Sequence, residues 1–276
     1  MNLNEMCNYL EKLTPISEIP LTWDSMSYTS ESFNDWASGD QFDGWEGERP
    51  TEDEVPIMAE LMRIKHGDSL LDVACGYGRH ALLFASLYDL NVTGIDISSG
   101  LIETARKFAK KKGLKIDFQV KHGRELLWQD KFDHAIIAFN SFSLFSPEDA
   151  PIVLTLIGRA LRKNGKLFMD LDNKPYNCRY GTSHKDWSLA DGLVFQEAYF
   201  HQDISIEVCR DLHFALGSDR MVKFVSFKRI YSEDEIHDLL AKCGFRIEEI
   251  YGDWDLSPLT QNSPKMILKC LKEGIS

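Results

Sequence analysis

The chain lacks an apolar run approaching the ~20 residues that cross a bilayer as a helix, so no membrane-spanning helix is expected. Its first residues, Met1-Asn2-Leu3-Asn4-Glu5-Met6, have neither a basic start nor an apolar core. No secretory leader is therefore expected, and the expected location is cytoplasmic. Basic charge is scarce. Lys and Arg number 31 against 43 Asp and Glu, giving a net charge of −12. That balance argues against a nucleic-acid partner, because a phosphate backbone calls for a basic surface. Cysteine carries no pattern. The six residues, at 7, 75, 178, 209, 243 and 270, include no Cys-x-x-Cys pair, and a chain this long needs no covalent staples. Reduced thiols are expected, and no metal site. Internal repeats and low-complexity tracts are absent too.

What is present is a chain of 276 residues with an apolar fraction of 43%, enough for one sizeable core. One stretch organises it: Leu70-Leu71-Asp72-Val73-Ala74-Cys75-Gly76-Tyr77-Gly78-Arg79-His80-Ala81. It reads as a buried strand, a tight turn and the start of a helix. Two glycines let backbone approach a ligand closely, and a helix N-terminus offers N–H groups and a positive dipole end. A second apolar run, Val92-Thr93-Gly94-Ile95-Asp96, ends in a carboxylate 20 residues after Gly76, the spacing at which an acid accepts ribose hydroxyls. A nucleoside-containing cofactor across two strand ends is the expectation.

Gly76-x-Gly78-x-x-Ala81 also fits the dinucleotide fingerprint, which keeps a nicotinamide cofactor as an outlying alternative. Asp72 points elsewhere. A charge inside an apolar strand needs a partner, and a carboxylate facing the turn can receive an ammonium group. With Asp72-x-x-x-Gly76-x-Gly78 followed by Asp96, the sequence resembles the class I S-adenosylmethionine-dependent methyltransferases, of the small-molecule type. The resemblance is firm from about residue 69 to 172 and suggestive from there to 271. It implies S-adenosylmethionine as cofactor and a role for each matching residue. Asp72 would orient the methionine amine. Ala74, Gly76 and Gly78 would give backbone access to the methionyl part, and Arg79 would reach its carboxylate. Asp96 would take the ribose, with Ile97 flanking the adenine. The Asp usual in the family at the end of the third strand is absent ahead of His122-Gly123-Arg124-Glu125-Leu126, which leaves Gly123 and Arg124 as the nearest adenine candidates. Asn140, in Asn140-Ser141-Phe142 after the fourth strand, would neighbour cofactor or substrate.

The fold expected is α/β, a doubly wound, mostly parallel seven-stranded sheet with an antiparallel C-terminal strand. Residues 57–175 and 231–276 form that domain. Residues 1–56 are read as a cap. Its stretch 18–56, acidic and aromatic, fits either a wrapping segment or a cover over a cationic or aromatic substrate. A helix is expected from Val55 to Lys65. Within 176–230, three runs at 193–201, 204–215 and 221–230 alternate as hairpin-linked strands. They are read as an inserted antiparallel β lid or a homodimer-forming sheet, roles that can coexist. Ser232-Glu233-Asp234-Glu235 is a capping box opening the last helix.

Methyl transfer to a small-molecule nitrogen or oxygen needs positioning more than a dedicated side chain, so no catalytic residue is assigned. His80, His184, Asp253 and Tyr28 are candidate bases. Competing readings are a protein- or RNA-directed methyltransferase and a non-catalytic S-adenosylmethionine-binding subunit.

Overall fold

A computed structural model describes residues 10, 12–19, 51–181, 183–189, 192–215 and 221–273. Among the described residues, eleven strands fall into two sheets. The larger has seven: β1 (Ser69–Val73), β2 (Asn91–Asp96), β3 (Asp117–Val120), β4 (Phe132–Ile137), β5 (Leu161–Asp172), β10 (Phe245–Tyr251) and β11 (Lys265–Lys272), in the order β10-β11-β5-β4-β1-β2-β3. Neighbours from β5 to β3 run parallel, and β11 runs antiparallel to both β5 and β10. The order reverses at β1 and β4, whose C-terminal ends open the crevice in which doubly wound sheets bind ligands.

Parallel strands are buried on both faces, so side-chain alternation decides which face each residue joins. Leu71 and Val73 join a core with Val153, Leu154 and Ile157 of α4 (Asp149–Ala160) and with Ile236 and Leu240 of α6 (Glu233–Lys242). Leu70, Ile136, Phe168 and Ile267 face the other way. There they meet Val55, Met58 and Met62 of α1 (Thr51–Met62), Ala81 and Phe84 of α2 (Arg79–Tyr88), and Ile102 and Ala105 of α3 (Ser99–Lys111). Asp72 lies two residues beyond Leu70, and Asp170 and Asp172 lie beyond Phe168, so all three carboxylates share the face covered by α1 to α3.

α1 begins at Thr51 rather than at Val55. Its first turn holds Glu52, Asp53 and Glu54, carboxylates that suit the positive end of the helix dipole, and it draws residues 51–56 out of the stretch read as a cap. Caps are as expected at two helices. Ser98 Oγ accepts from Leu101 N–H before α3, and Ser232 and Glu235 form a reciprocal box before α6.

The second sheet has four strands, not three: β6 (Ser183–Leu189), β7 (Gly192–His201), β8 (Ile206–Ala215) and β9 (Met221–Arg229), antiparallel in that order. β6 carries too little apolar alternation for its sequence to announce it. The sheet is entered from the C-terminal end of β5 through α5 (Lys174–Tyr180) and returns to α6. One face packs Val208, Leu212, Phe214 and Phe227 against Leu10, Leu13 and Ile16, and Arg210 binds Glu197 and the carbonyl of Thr14. No helix among the described residues is long and apolar enough to cross a membrane.

Candidate functional site

At the end of β1 the chain turns into α2 through left-handed backbone at Ala74 (φ 58°), Gly76 (φ 56°) and Gly78 (φ 80°). The two glycines serve different ends. A Cβ on Gly78 would lie 2.6 Å from the buried Phe118 ring, so this glycine lets α2 close on β3. A Cβ on Gly76 would meet nothing within 4 Å, so its backbone faces open space. Gly78, the residue before α2, makes no side-chain cap. Asp72 takes part of that role, because its carboxylate accepts the N–H of Ala81. The other oxygen, Oδ2, is buried with no hydrogen-bond partner among the described residues. Burial and then the nearby Asp96 push the Asp72 carboxyl up to about 8. An orphaned, buried carboxylate oxygen beside an open glycine is the feature an ammonium group would satisfy.

Asp96, one strand over, is also buried. Its Oδ2 accepts from Gly76 N–H and its Oδ1 from Ser98 N–H, both at 2.9 Å. Each oxygen keeps acceptor capacity, and the carboxylate ties the glycine turn to the cap of α3. Ile97 follows it, half-buried. Gly123 opens a single 3₁₀ turn (Gly123–Glu125) beyond β3, its open side filled by Val153. The Arg124 guanidinium is paired with Asp149 at 2.8 Å.

Arg79 and His80 open α2 and meet Glu54, a partner the sequence reading did not single out. Glu54 Oε2 accepts from Arg79 Nη1 at 2.6 Å and from His80 Nε2 at 2.8 Å, and Arg79 also binds Thr51 Oγ1. Burial pushes the Glu54 carboxyl up, but His80 and Arg79 outweigh it and hold it below the usual range. Burial lowers His80 against the pull of Glu54. The Arg79 guanidinium lies 5.0 Å from the centre of the Phe139 ring.

Asn140 follows β4 in left-handed backbone (φ 55°). Its amide is engaged on both sides. Nδ2 donates to Asp172 at 2.6 Å, while Oδ1 accepts from Ser143 Oγ at 2.7 Å and from Asp172 N–H. Its own N–H donates to Asp170 Oδ2 at 3.1 Å. Lys265, at the start of β11, pairs with Asp172 at 2.6 Å. Burial pulls the Lys265 ammonium down, but Asp172 and Asp170 hold it above its ordinary range. Asp170, Asp172 and Lys265 were missed in the sequence. The alternation Asp170-Leu171-Asp172 at a strand end was the available signal.

Of the candidate bases, His80 lies against Glu54. Asp253 is half-buried and caps its neighbour Trp254, whose ring packs on Phe168 in the loop between β10 and β11. His184 lies on β6 by its backbone, and its side chain is outside the described residues. Tyr28 and the rest of residues 20–50 lie outside them as well.

Residues 70–165 match the family described as a methyltransferase domain. The 27-O-demethylrifamycin SV methyltransferase of Amycolatopsis mediterranei is 31% identical over 130 residues, 45% of this chain and 47% of that one. The chain spans at most half the length of the curated relatives it matches. Among solved structures, a S-adenosylmethionine-dependent methyltransferase from Clostridium acetobutylicum superposes with a TM-score of 0.74 at 14% identity, covering 82% of this chain and 94% of that one. The CcbJ methyltransferase from Streptomyces caelestis gives 0.75 at 16%, covering 90% and 100%. At these identities the likeness is one of fold. The family match, with the motif at Asp72–Gly78 and the acid at Asp96 inside it, identifies residues 70–165 as a methyltransferase domain.

Proposed function

We propose that this protein transfers a methyl group from S-adenosylmethionine to a nitrogen or oxygen of a small molecule. The observation that carries the reading is the buried, unpartnered Asp72 Oδ2 beside the open backbone of Gly76, one strand from Asp96. When bound, the cofactor supplies an electrophilic sulfonium methyl. Asp72 receives its amine, Asp96 its ribose hydroxyls, and the turn from Ala74 to Gly78 its methionyl backbone. Arg79, steadied by Glu54 and Phe139, stands over the same turn. The chain's part is to hold the acceptor in line and keep water out, which can supply roughly 7–11 kcal/mol of a barrier.

The four-stranded sheet joins the domain at the C-terminal end of β5 and packs beside the 3₁₀ turn Ser141–Leu144. We read it as the lid over the acceptor. Its side away from Leu10 and Ile16 mixes the pairs Glu207–Lys228 and Gln196–Asp211 with the apolar Val194 and Phe200. The net charge of −12 favours a small acceptor over nucleic acid.

The test titrates S-adenosylmethionine, S-adenosylhomocysteine and NAD(H) separately against melting temperature, in wild type and in Asp96→Ala. Stabilisation by the two sulfur nucleosides that is lost in the variant is expected. Label from S-adenosylmethionine should then pass to members of a panel of small amines and hydroxyl compounds. Stabilisation by NAD(H) alone overturns the reading. Cofactor binding with label appearing only in protein or RNA overturns the small-molecule part.

A further inference from the structure

Two carboxylates on the face covered by α1 carry an orphaned oxygen: Asp72 and Asp170. Asp72 has its use in the cofactor site. Asp170 does not share that site. Register places Asp72 beside Ile136, and Ile136 beside Phe168, with Asp170 two residues further along β5. β4 lies between, so at ordinary strand spacing Asp170 is about 10 Å across the sheet from β1, toward the lid.

Its neighbours are matched pair by pair. Glu54 has Arg79 and His80. Asp172 has Lys265 and the Asn140 amide. Asp170 has one N–H, from Asn140, on Oδ2, and Oδ1 has no partner among the described residues. The residue is 2% exposed. Burial pushes its carboxyl up to about 6, against the pull of Lys265, and Glu54 adds to the rise. A carboxylate in this setting gains most from a ligand that brings both an N–H and a positive charge. An anion would be repelled by Glu54 and Asp172.

We propose that Asp170 is the acceptor's anchor, its Oδ1 receiving an N–H of a protonated amine on the molecule to be methylated. The proposal rests on the small-molecule methyltransferase reading and narrows its acceptor to molecules that carry a protonated amine, the methyl going to another nitrogen or oxygen with a free lone pair. Cofactor and acceptor then each meet one buried acid, Asp72 and Asp170, on two strands separated by β4.

The probe is methylammonium chloride, the smallest piece of such an acceptor. Protein saturated with S-adenosylhomocysteine is melted with methylammonium, tetramethylammonium or sodium chloride at equal ionic strength, in wild type and in Asp170→Asn. Asparagine keeps an oxygen for the Asn140 N–H. Methylammonium should raise the wild-type melting temperature above the sodium control, by about 1–2 °C near its dissociation constant. Tetramethylammonium, which has no N–H, should not, and the variant should not distinguish the salts. If methylammonium acts as sodium does, or stabilises Asp170→Asn equally, Asp170 is no anchor although the cofactor reading stands. If S-adenosylhomocysteine itself gives no shift, the cofactor reading fails and this inference falls with it. Should Asp170→Asn not fold, the three salts on wild type decide alone.

Discussion

Asp72 sits where an apolar strand would be cheaper to bury, and its chemistry gives the residue away. Its folded pKa of about 8 lies above that of an unfolded aspartate, near 3.9. Between those values the folded protein holds more protons than the unfolded one, so this group's contribution to stability declines as pH rises from 4 to 8. Asp72→Asn removes that decline and still offers Ala81 an oxygen. Urea melts of the ligand-free protein should show the variant gaining on wild type by up to a few kcal/mol between pH 5 and pH 8, while S-adenosylhomocysteine binding is lost. The two glycines should separate equally clearly. Each substitution to alanine strains left-handed backbone by about 1–2 kcal/mol. Gly78→Ala also drives a Cβ into Phe118 and should cost visibly more in a urea melt. Gly76→Ala should stay near the strain alone and be felt mainly in cofactor affinity.

Among the elements, α1 matters most for a reason its own sequence conceals. It packs Val55, Met58 and Met62 into the core, and its Glu54 joins α1 to the start of α2 through Arg79 and His80. Breaking a buried pair from one side strands the other partner at about 3–5 kcal/mol. Glu54→Ala should therefore destabilise by roughly 3 kcal/mol in denaturant and weaken cofactor binding beyond that loss. Because the Glu54 pKa is lowered, its contribution is present above the ordinary glutamate range and lost as pH falls through the folded value. The gap between wild type and Glu54→Ala should thus narrow in acid melts. The helices α3 and α6 behave more locally. Their Ser98 and Ser232 caps should each cost about 1 kcal/mol on replacement by alanine.

In the whole molecule, the large sheet and the four-stranded sheet keep separate apolar clusters. Residues of the second sheet pack with Leu10, Leu13 and Ile16, not with the two clusters flanking the first. Replacing 176–229 by a short linker should leave a domain that still binds S-adenosylhomocysteine by calorimetry and fails to transfer methyl groups. At ~100 times its dissociation constant, a ligand specific to the folded state adds about 2.7 kcal/mol, a shift that both versions should show.

Much of this was legible along the chain. The strands at 91–96 and 245–251, the Ser98 cap, the Ser232 box and the motif from Asp72 to Gly78 with Asp96 are written in short windows, because periodicity, capping and turn chemistry act over a few residues. The same windows pointed to the cofactor, since the groups proposed to hold it lie on one strand-turn-helix unit and the strand after it. Other features depend on residues far apart in sequence. Glu54 meets Arg79 across 25 positions and Asn140 meets Asp170 across 30, and only the order of strands in the sheet brings them together. That order also decides that Asn140 braces a turn, that Gly78 leaves room for the Phe118 ring, and that one oxygen of Asp170 is buried without a partner among the described residues. Burial and pairing are properties of the packed chain, and no local pattern records them.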